Sequence, residues 1–493
     1  MRYRHDIDIL RAFAVVTVVL YHISARMLPG GFVGVDVFFV ISGYLITGQL
    51  EQHLEQGNFR FLDFYTRRFR RLYPALCLVL VVTAVLGAFL LLPGAQNQLG
   101  REMRAVATIS VNYYFLGQEN AYFGLMADRK PLLHMWSLSV EEQFYMLWPL
   151  LLWVIQRLLH GRDERLRLAS DALLWLIFGT SLAWCMYSSC HNSPQAFYGM
   201  PSRAWEFAVG GILALSQGRW DERRHLGRIL RWAGLAVLLT SVAFIDGSDL
   251  FPGYIALAPA VGALLFLAGG HFNPLASSPS SAWNSVVRHT GRISYSFYLW
   301  HWVLLAMVRS WYLDRFLPRD ALIGGVMSYL LAHLTYVYVE QPLRLGTTPW
   351  PRLNHLRFRH GLYAMLILYV LGNIEIFHPV ALTLAQRQAT RWSNDPVSMP
   401  SDCHLASAGA PLASVDACSL GHPNDPIRIL VWGDSHAGRL LPVIDLYSQN
   451  HPLRILLRSD SGCPPLFNTL PSGNGHPTST PFRSITVISA SVA

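Results

Sequence analysis

The chain reads as an α-helical polytopic membrane bundle followed by a partial α/β domain, and three features predict this. Of its 493 residues, 52% are hydrophobic and 14% charged, with a mean hydropathy of +0.30. Apolar runs recur through the first 381 residues, many near the roughly 20 residues a helix needs to cross bilayer hydrocarbon. Past residue 382 the texture turns polar, and a short β-rich run at 427–432 ends in Gly433, Asp434, Ser435 and His436.

The first run, residues 9–28, organises the rest. It carries Arg11 near its start and His22 near its end, eleven residues apart. At about 100° per residue they return to nearly one helix face, roughly 16 Å apart along the axis. Ionisable groups in a span are costly and usually face a bundle interior or a wet cavity. The blander reading is an interfacial arginine and a packing histidine. The run has no small-residue cleavage site and is expected to be retained.

Ten further spans follow, at about 33–50, 72–93, 140–159, 172–190, 204–216, 230–246, 253–270, 294–313, 322–340 and 361–381. Residues 105–123 are apolar, but Asn112, Gln118, Glu119 and Asn120 favour an interfacial or re-entrant piece. With the N-terminus cytoplasmic, the inside loops hold Arg60 and the run Arg67 to Arg71, then Arg162, Arg165 and Arg167, then Arg219, Arg223, Arg224 and Arg228. Arg288, Arg292, Arg344, Arg352, Arg357 and Arg359 complete them, whereas the short outside loops show only Arg203, Arg315 and Arg319. That asymmetry is the positive-inside pattern. It accounts for the net charge of +9 without nucleic acid. Eleven spans place the C-terminal part outside the cytoplasm. The expected divisions are 1–345, the membrane domain; 346–381, a cytoplasmic loop and linking span; 382–426, an extracytoplasmic linker; and 427–493, the partial α/β domain.

Six polar clusters sit at or inside span ends. Asp6, Asp8 and Arg11 open the first span, with Asp8 and Arg11 spaced to pair. Residues 30–47, GGFVGVDVFFVISGYLIT, combine close-packing glycines with Asp36. Residues 64–71, FYTRRFRR, put Arg67 and Arg71 on one helical face beside Arg68, a fork suited to phosphates or a solvated positive-inside loop. Residues 134–149 carry Glu141 and Glu142 into a span, and residues 293–302 hold a stripe of Tyr295, Tyr298 and His301. Residues 336–344, YVYVEQPLR, end a span at Glu340.

In this order these six motifs resemble the family-3 membrane acyltransferases of the O-antigen acetylase type, over residues 3–345. The stretch ILVWGDSHAG resembles the first block of the SGNH hydrolase-like domain that some members carry. The resemblance implies transfer of an acyl group, usually acetyl, from cytosolic acyl-CoA to a hydroxyl of an extracytoplasmic envelope glycan. Such acceptors include lipopolysaccharide O-antigen, peptidoglycan or a lipid-linked glycan. It implies a bacterial inner-membrane location, with acetyl-CoA as co-substrate, membrane lipid as surroundings and no metal. By motif match, Arg11 and His22 take the family's paired Arg and His, and Arg67, Arg68 and Arg71 its donor-binding cluster. Glu340 and Ser435 are further catalytic candidates. A neutral imidazole roughly mid-membrane suits a sugar hydroxyl, a poor nucleophile that needs its proton removed.

The tail departs from its family. An SGNH serine needs a later Asp-x-x-His for activation. After Ser435 the only aspartates are Asp445 and Asp460, followed three places on by Ser448 and Cys463, so the module reads as incomplete and Ser435 equally as a helix cap. Six cysteines show no metal spacing, and Cys403 and Cys418 are a candidate pair in the polar tail. Two rival classes remain. A transporter calls for inverted repeats with interrupted helices, which the chain does not display. A membrane-anchored esterase calls for the intact triad.

Overall fold

The computed structural model describes residues 4–56, 59–91, 93–118, 129–158, 163–216, 224–247, 250–272, 282–312, 317–347 and 358–372, and four short strands beyond residue 418. The chain forms two compact units, Met1–Val380 and Ala381–Ala493.

In the first unit a helix lies over each of the eleven expected spans. They are α1 (His5–Ile23), α2 (Gly34–Glu55), α3 (Phe61–Leu90), then, after the short α4 (Pro93–Ala107) and α5 (Val111–Leu116), α6 (Met135–Leu158) and α7 (Asp163–His191). After α8 (Ser193–Tyr198) come α9 (Met200–Ser216), α10 (Arg224–Phe244) and α11 (Leu257–Phe272). Then follow α12 (Ala282–Arg292), α13 (Ser294–Tyr312), α14 (Pro318–Thr335), α15 (Gln341–Leu345) and α16 (Phe358–Leu371). Among the described residues, five helical stretches are long and apolar enough to cross a membrane: Gly31–Leu54, Phe61–Leu90, Leu168–His191, His225–Phe244 and Pro318–Leu345.

Those five divide by burial. The apolar window of Gly31–Leu54 is 89% buried, against 33% or less in the other four. The α2 helix is thus a central post, and the others turn an apolar face outward. Trp175, Leu176 and Trp184 on α7, Ile229, Trp232 and Phe244 on α10, and Ile323 and Val326 on α14 are all exposed. An outward stripe of this size is what lipid covers. The polar α1 is enclosed instead, with Asp6, Asp8, Thr17 and His22 buried.

Close backbone approach holds the centre. A Cβ built on Gly43 of α2 would lie 2.0 Å from the Phe207 carbonyl oxygen, and one on Gly210 of α9 would lie 2.0 Å from the Val40 carbonyl oxygen. Only glycine at both positions lets α2 and α9 cross so tightly.

Arg203, counted above as an outside-loop arginine, is 1% exposed within α9. Its Nη1 donates to Asp36 Oδ1 at 2.8 Å and Glu206 Oε1 at 2.9 Å, and its Nε donates to the Phe197 carbonyl at 3.1 Å. The guanidinium also lies over the rings of Trp136, Phe197 and Phe251. It ties α2 to α9 rather than marking topology. The segment 105–116 resolves similarly. Gln143 of α6 donates to the Ile109 carbonyl at 2.8 Å and Asn112 Oδ1 at 2.9 Å, and Asn112 donates to the Tyr198 carbonyl at 3.1 Å. Within this interfacial or re-entrant candidate, the Asn112 amide is a buried bolt between elements.

One widened helical turn, Tyr336–Glu340, joins α14 to α15, and the Gln341 N–H reaches back five residues to the Tyr336 carbonyl. Pro342 follows at once; its ring and missing N–H disturb the preceding turn of a regular helix. Gly346, at φ 69°, then closes α15 in the left-handed conformation.

The second unit contains a four-stranded sheet: β1 (Ser419–Leu420), β2 (Ile427–Gly433), β3 (Arg454–Ser459) and β4 (Thr486–Ser489), in the order β1-β3-β2-β4. β2 is parallel to both β3 and β4, and β1 is antiparallel to β3. Parallel neighbours about a central β2 fit the expected α/β texture. β1 and β4 lie where the sequence showed no clear element. Asp434, Ser435, His436, most of the 382–426 linker, Cys403, Cys418 and Cys463 fall outside the described residues.

Arg203→Ala would leave two buried carboxyls without their shared cation, so we expect a loss of about 3–5 kcal/mol. A denaturant titration of detergent-solubilised protein checks this.

Candidate active site

The α1 helix connects two polar regions. At its N-terminal end a cavity of about 420 Å³ is lined by Arg4, Arg11, Arg71, Arg292, Arg344 and Glu340, among others. Arg71 and Arg344 also line a neighbouring cavity of about 270 Å³ together with Arg67, Arg68 and Arg70. Four of the guanidiniums come from α3, the others from chain segments far apart in sequence. The expected fork is therefore part of a wider arginine wall, to which Arg4, Arg292 and Arg344 were not assigned from sequence.

Carboxylates are interleaved with these cations. Arg4 bonds Asp6 and the Tyr44 hydroxyl and donates to the Leu267 carbonyl at 2.7 Å. The Asp8 carboxylate lies 3.9 Å from Arg292, a cation that local spacing did not point to. Glu340, buried, accepts from Ser296 Oγ of α13 at 2.9 Å. The widened turn before it aims this carboxylate into the bundle.

A narrow cleft of about 50 Å³ shares Arg11, Arg71 and Tyr295 with the larger cavity and continues past Ser42, Glu141 and Tyr145 to Ser137 and Tyr298. Its walls are mostly apolar, including Phe38, Phe39, Ile41 and Leu138. Glu141 accepts from both Ser42 and Tyr145, and the Arg68 guanidinium lies 4.4 Å above the Tyr145 ring. Glu142 and Tyr73 line a small adjoining cavity that shares Glu141 and Tyr295 with the cleft.

His22 occupies the last turn of α1, near the end of its run as expected. It is buried, and its Nδ1 lies 3.1 Å from His301 Nε2 of α13. The Trp302 ring stands edge-on at 4.5 Å and Tyr21 at 5.2 Å. His301 Nδ1 lies 2.6 Å from the Tyr298 carbonyl. The Tyr298 hydroxyl in turn donates to the His134 carbonyl at 3.0 Å and lies 2.7 Å from Ser137 Oγ. Tyr298, which lines the cleft with Ser137, is thus one helical turn before His301 on α13. His22 itself is not among the residues lining these cavities.

The structure therefore brings Arg11, Arg71 and Glu340 to one cavity, Arg67 and Arg68 to the adjoining one, and His22 to the far end of α1. Ser435 lies outside the described residues. His301 appeared in sequence only as one member of a polar stripe, and His134 was not singled out; no spacing rule links His301 to His22, 279 positions away in sequence. Among the described residues no group of three His, Cys, Asp or Glu side chains could hold a metal ion. Cys77, Cys185 and Cys190 are free thiols.

Residues 4–337 match the acyltransferase domain family Acyl_transf_3. The chain belongs to this family. Residues 402–489 match the SGNH domain that is found fused to such acyltransferase domains. The chain is 31% identical to the O-acetyltransferase OatA of Staphylococcus aureus over 364 residues, covering 70% of this chain and 57% of that protein. It is 28% identical to the putative peptidoglycan O-acetyltransferase YrhL of Bacillus subtilis over 440 residues, 84% of this chain and 68% of that one. It thus spans little more than half the length of the staphylococcal relatives it matches. No solved structure matches the chain. The family and the exposed apolar helices make this a multi-pass membrane protein with a C-terminal SGNH domain.

Tyr298→Phe removes the hydroxyl shared between Ser137 and the His134 carbonyl. We expect it to cost about 1 kcal/mol, read as a lowered unfolding midpoint in detergent.

Proposed function

We propose that this protein is a membrane O-acetyltransferase that moves acetyl from cytosolic acetyl-CoA to a hydroxyl of an envelope glycan outside the bacterial inner membrane. The observation that carries the reading is the pairing of two sites by one helix. An arginine-walled mouth lies at the Arg11 end of α1 and a buried imidazole pair at the His22 end, with a narrow apolar cleft leading from the first toward the second.

The chemistry fits each part. Coenzyme A carries several phosphates on a slender arm ending in a thioester. Arg67, Arg68 and Arg71, with Arg344, offer planar forks for the phosphates, and Arg11 guards the entry to the cleft. A cleft of apolar walls with spaced hydroxyls suits an amide-bearing arm. Glu340, held by Ser296, keeps the guanidiniums of the mouth oriented. At the far end His22 takes the proton of the acceptor hydroxyl as its oxygen attacks the thioester carbonyl carbon. The carbon–sulfur bond breaks, the thiolate leaves with the proton returned from the imidazolium, and the products are the glycan ester and free coenzyme A.

This polarity sets the arginine end in the cytoplasm, as the positive-inside pattern of the loops supports. The SGNH domain then lies on the acceptor's side, and its Ser435 is the candidate to relay acetyl to a distant glycan. The name of the Bacillus relative favours peptidoglycan as acceptor over O-antigen. A membrane-anchored esterase would leave the arginine mouth without a role.

His22→Ala at unchanged expression should abolish the ester-linked acetate on envelope glycans, measured after mild base release; near-normal acetate would refute the assigned base. Arg67→Ala combined with Arg71→Ala should raise the apparent KM for acetyl-CoA roughly tenfold or more in sealed vesicles loaded with the donor, with protein level unchanged.

A further inference from the structure

His301 is buried beside His22, and nothing in the reaction described above uses it. The hydrogen bonds of the two rings fix a direction. A carbonyl oxygen can only accept, so the 2.6 Å contact between His301 Nδ1 and the Tyr298 carbonyl places the ring proton of His301 on Nδ1. In the neutral ring Nε2 then carries the lone pair. Nε2 is the atom 3.1 Å from His22 Nδ1, so His22 must be the donor in that contact. The proton of His22 therefore sits on Nδ1, and its lone pair on Nε2. Which nitrogen of a histidine can act as a base is decided by the bond its other nitrogen makes.

We propose that His301 is a positioning residue: relaying the Tyr298 carbonyl through its ring, it holds His22 in the tautomer whose Nε2 takes the proton of the hydroxyl being acylated. The proposal rests on His22 as the base. The surrounding rings support an arrangement held in place. The two imidazoles lie edge to edge, with 21° between their planes and centroids 5.2 Å apart, and the Trp302 ring packs edge-on against His22 at 4.5 Å. The backbone is anchored too, because Arg309 Nη2 donates to the His22 carbonyl at 2.6 Å. A neighbouring imidazole, His134, is engaged elsewhere, with Nε2 at 3.1 Å from the Leu299 carbonyl. When His22 becomes imidazolium, its Nδ1–H keeps the same acceptor, so the proton moves without a rearrangement of the pair.

A matched pair of amides tests this. In His301→Gln the side-chain oxygen reaches the place of Nε2 and still accepts from His22. In His301→Asn the amide reaches only the place of Nδ1, so the bond to Tyr298 can persist while His22 loses its acceptor. Full-length protein is assayed in sealed vesicles from cells that carry the endogenous glycan, with labelled acetyl-CoA inside and base-labile label on glycan as the readout. We expect His301→Gln to stay within about tenfold of the unaltered rate at saturating donor, and His301→Asn to fall roughly a hundredfold with the KM for acetyl-CoA unchanged, in line with the usual worth of a general base. Equal rates for the two variants, whether both fast or both slow, would overturn the tautomer assignment, as would a change confined to KM. His22→Ala assayed in parallel separates the two ideas. Near-normal transfer there removes the base itself, whereas its inactivity beside a fully active His301→Asn removes only the role given to His301.

Discussion

A helix bearing Asp6, Asp8, Arg11 and His22 cannot face hydrocarbon, and much of this architecture follows from that constraint. Each of these groups must find partners inside protein or reach water through it. The apolar, lipid-facing helices α7, α10 and α14 form a jacket, α2 stands almost wholly buried within it, and the polar α1 is enclosed. The cavities are where that enclosure stays open. Charge at one end of α1 is met by arginines and solvent space; at the other, polarity is met by a second imidazole and dry aromatic rings.

The same economy appears in the tie between α2 and α9. Arg203 serves two carboxyls and one backbone carbonyl from a site only 1% exposed. Such a cluster adds little net stability over well-packed apolar residues, but it penalises misregister heavily, since any slip leaves a charge unpaired. With Gly43 and Gly210 permitting backbone contact, it fixes α9 against α2, the helix that lines the narrow cleft with Phe38, Ser42 and Leu45.

Much of this was legible in the sequence because membrane helices announce themselves by length and hydropathy, and because charges inside apolar runs stand out. Every expected span carries a helix, and Arg11, Asp36, Glu340 and His22 were visible as misfits in their surroundings. What stayed hidden was long-range pairing. Arg203 counted as a loop residue because its partner Asp36 lies 167 positions earlier, and Arg292, 3.9 Å from Asp8, could not be found by local spacing. The partners of the Asn112 amide could not be read locally, because only the fold supplies Gln143 and Tyr198. In the second unit, β2 and β3 carry dense β-branched or aliphatic runs and were readable. β4 lies in a serine- and threonine-rich stretch whose strand character depends on its neighbour β2.

The widened turn at Tyr336–Glu340 has an evolutionary corollary. A five-residue hydrogen-bonded loop amounts to one extra residue inserted into an otherwise regular helix. Deleting a single position there would wind the segment back by about 100°, swinging the carboxylate of Glu340 off Ser296 and onto another side of the bundle. The position of this glutamate in the bundle therefore depends on the number of residues between it and the start of its helix, not only on their identity. Length variation among related chains should accumulate in loops on either side and spare this interval.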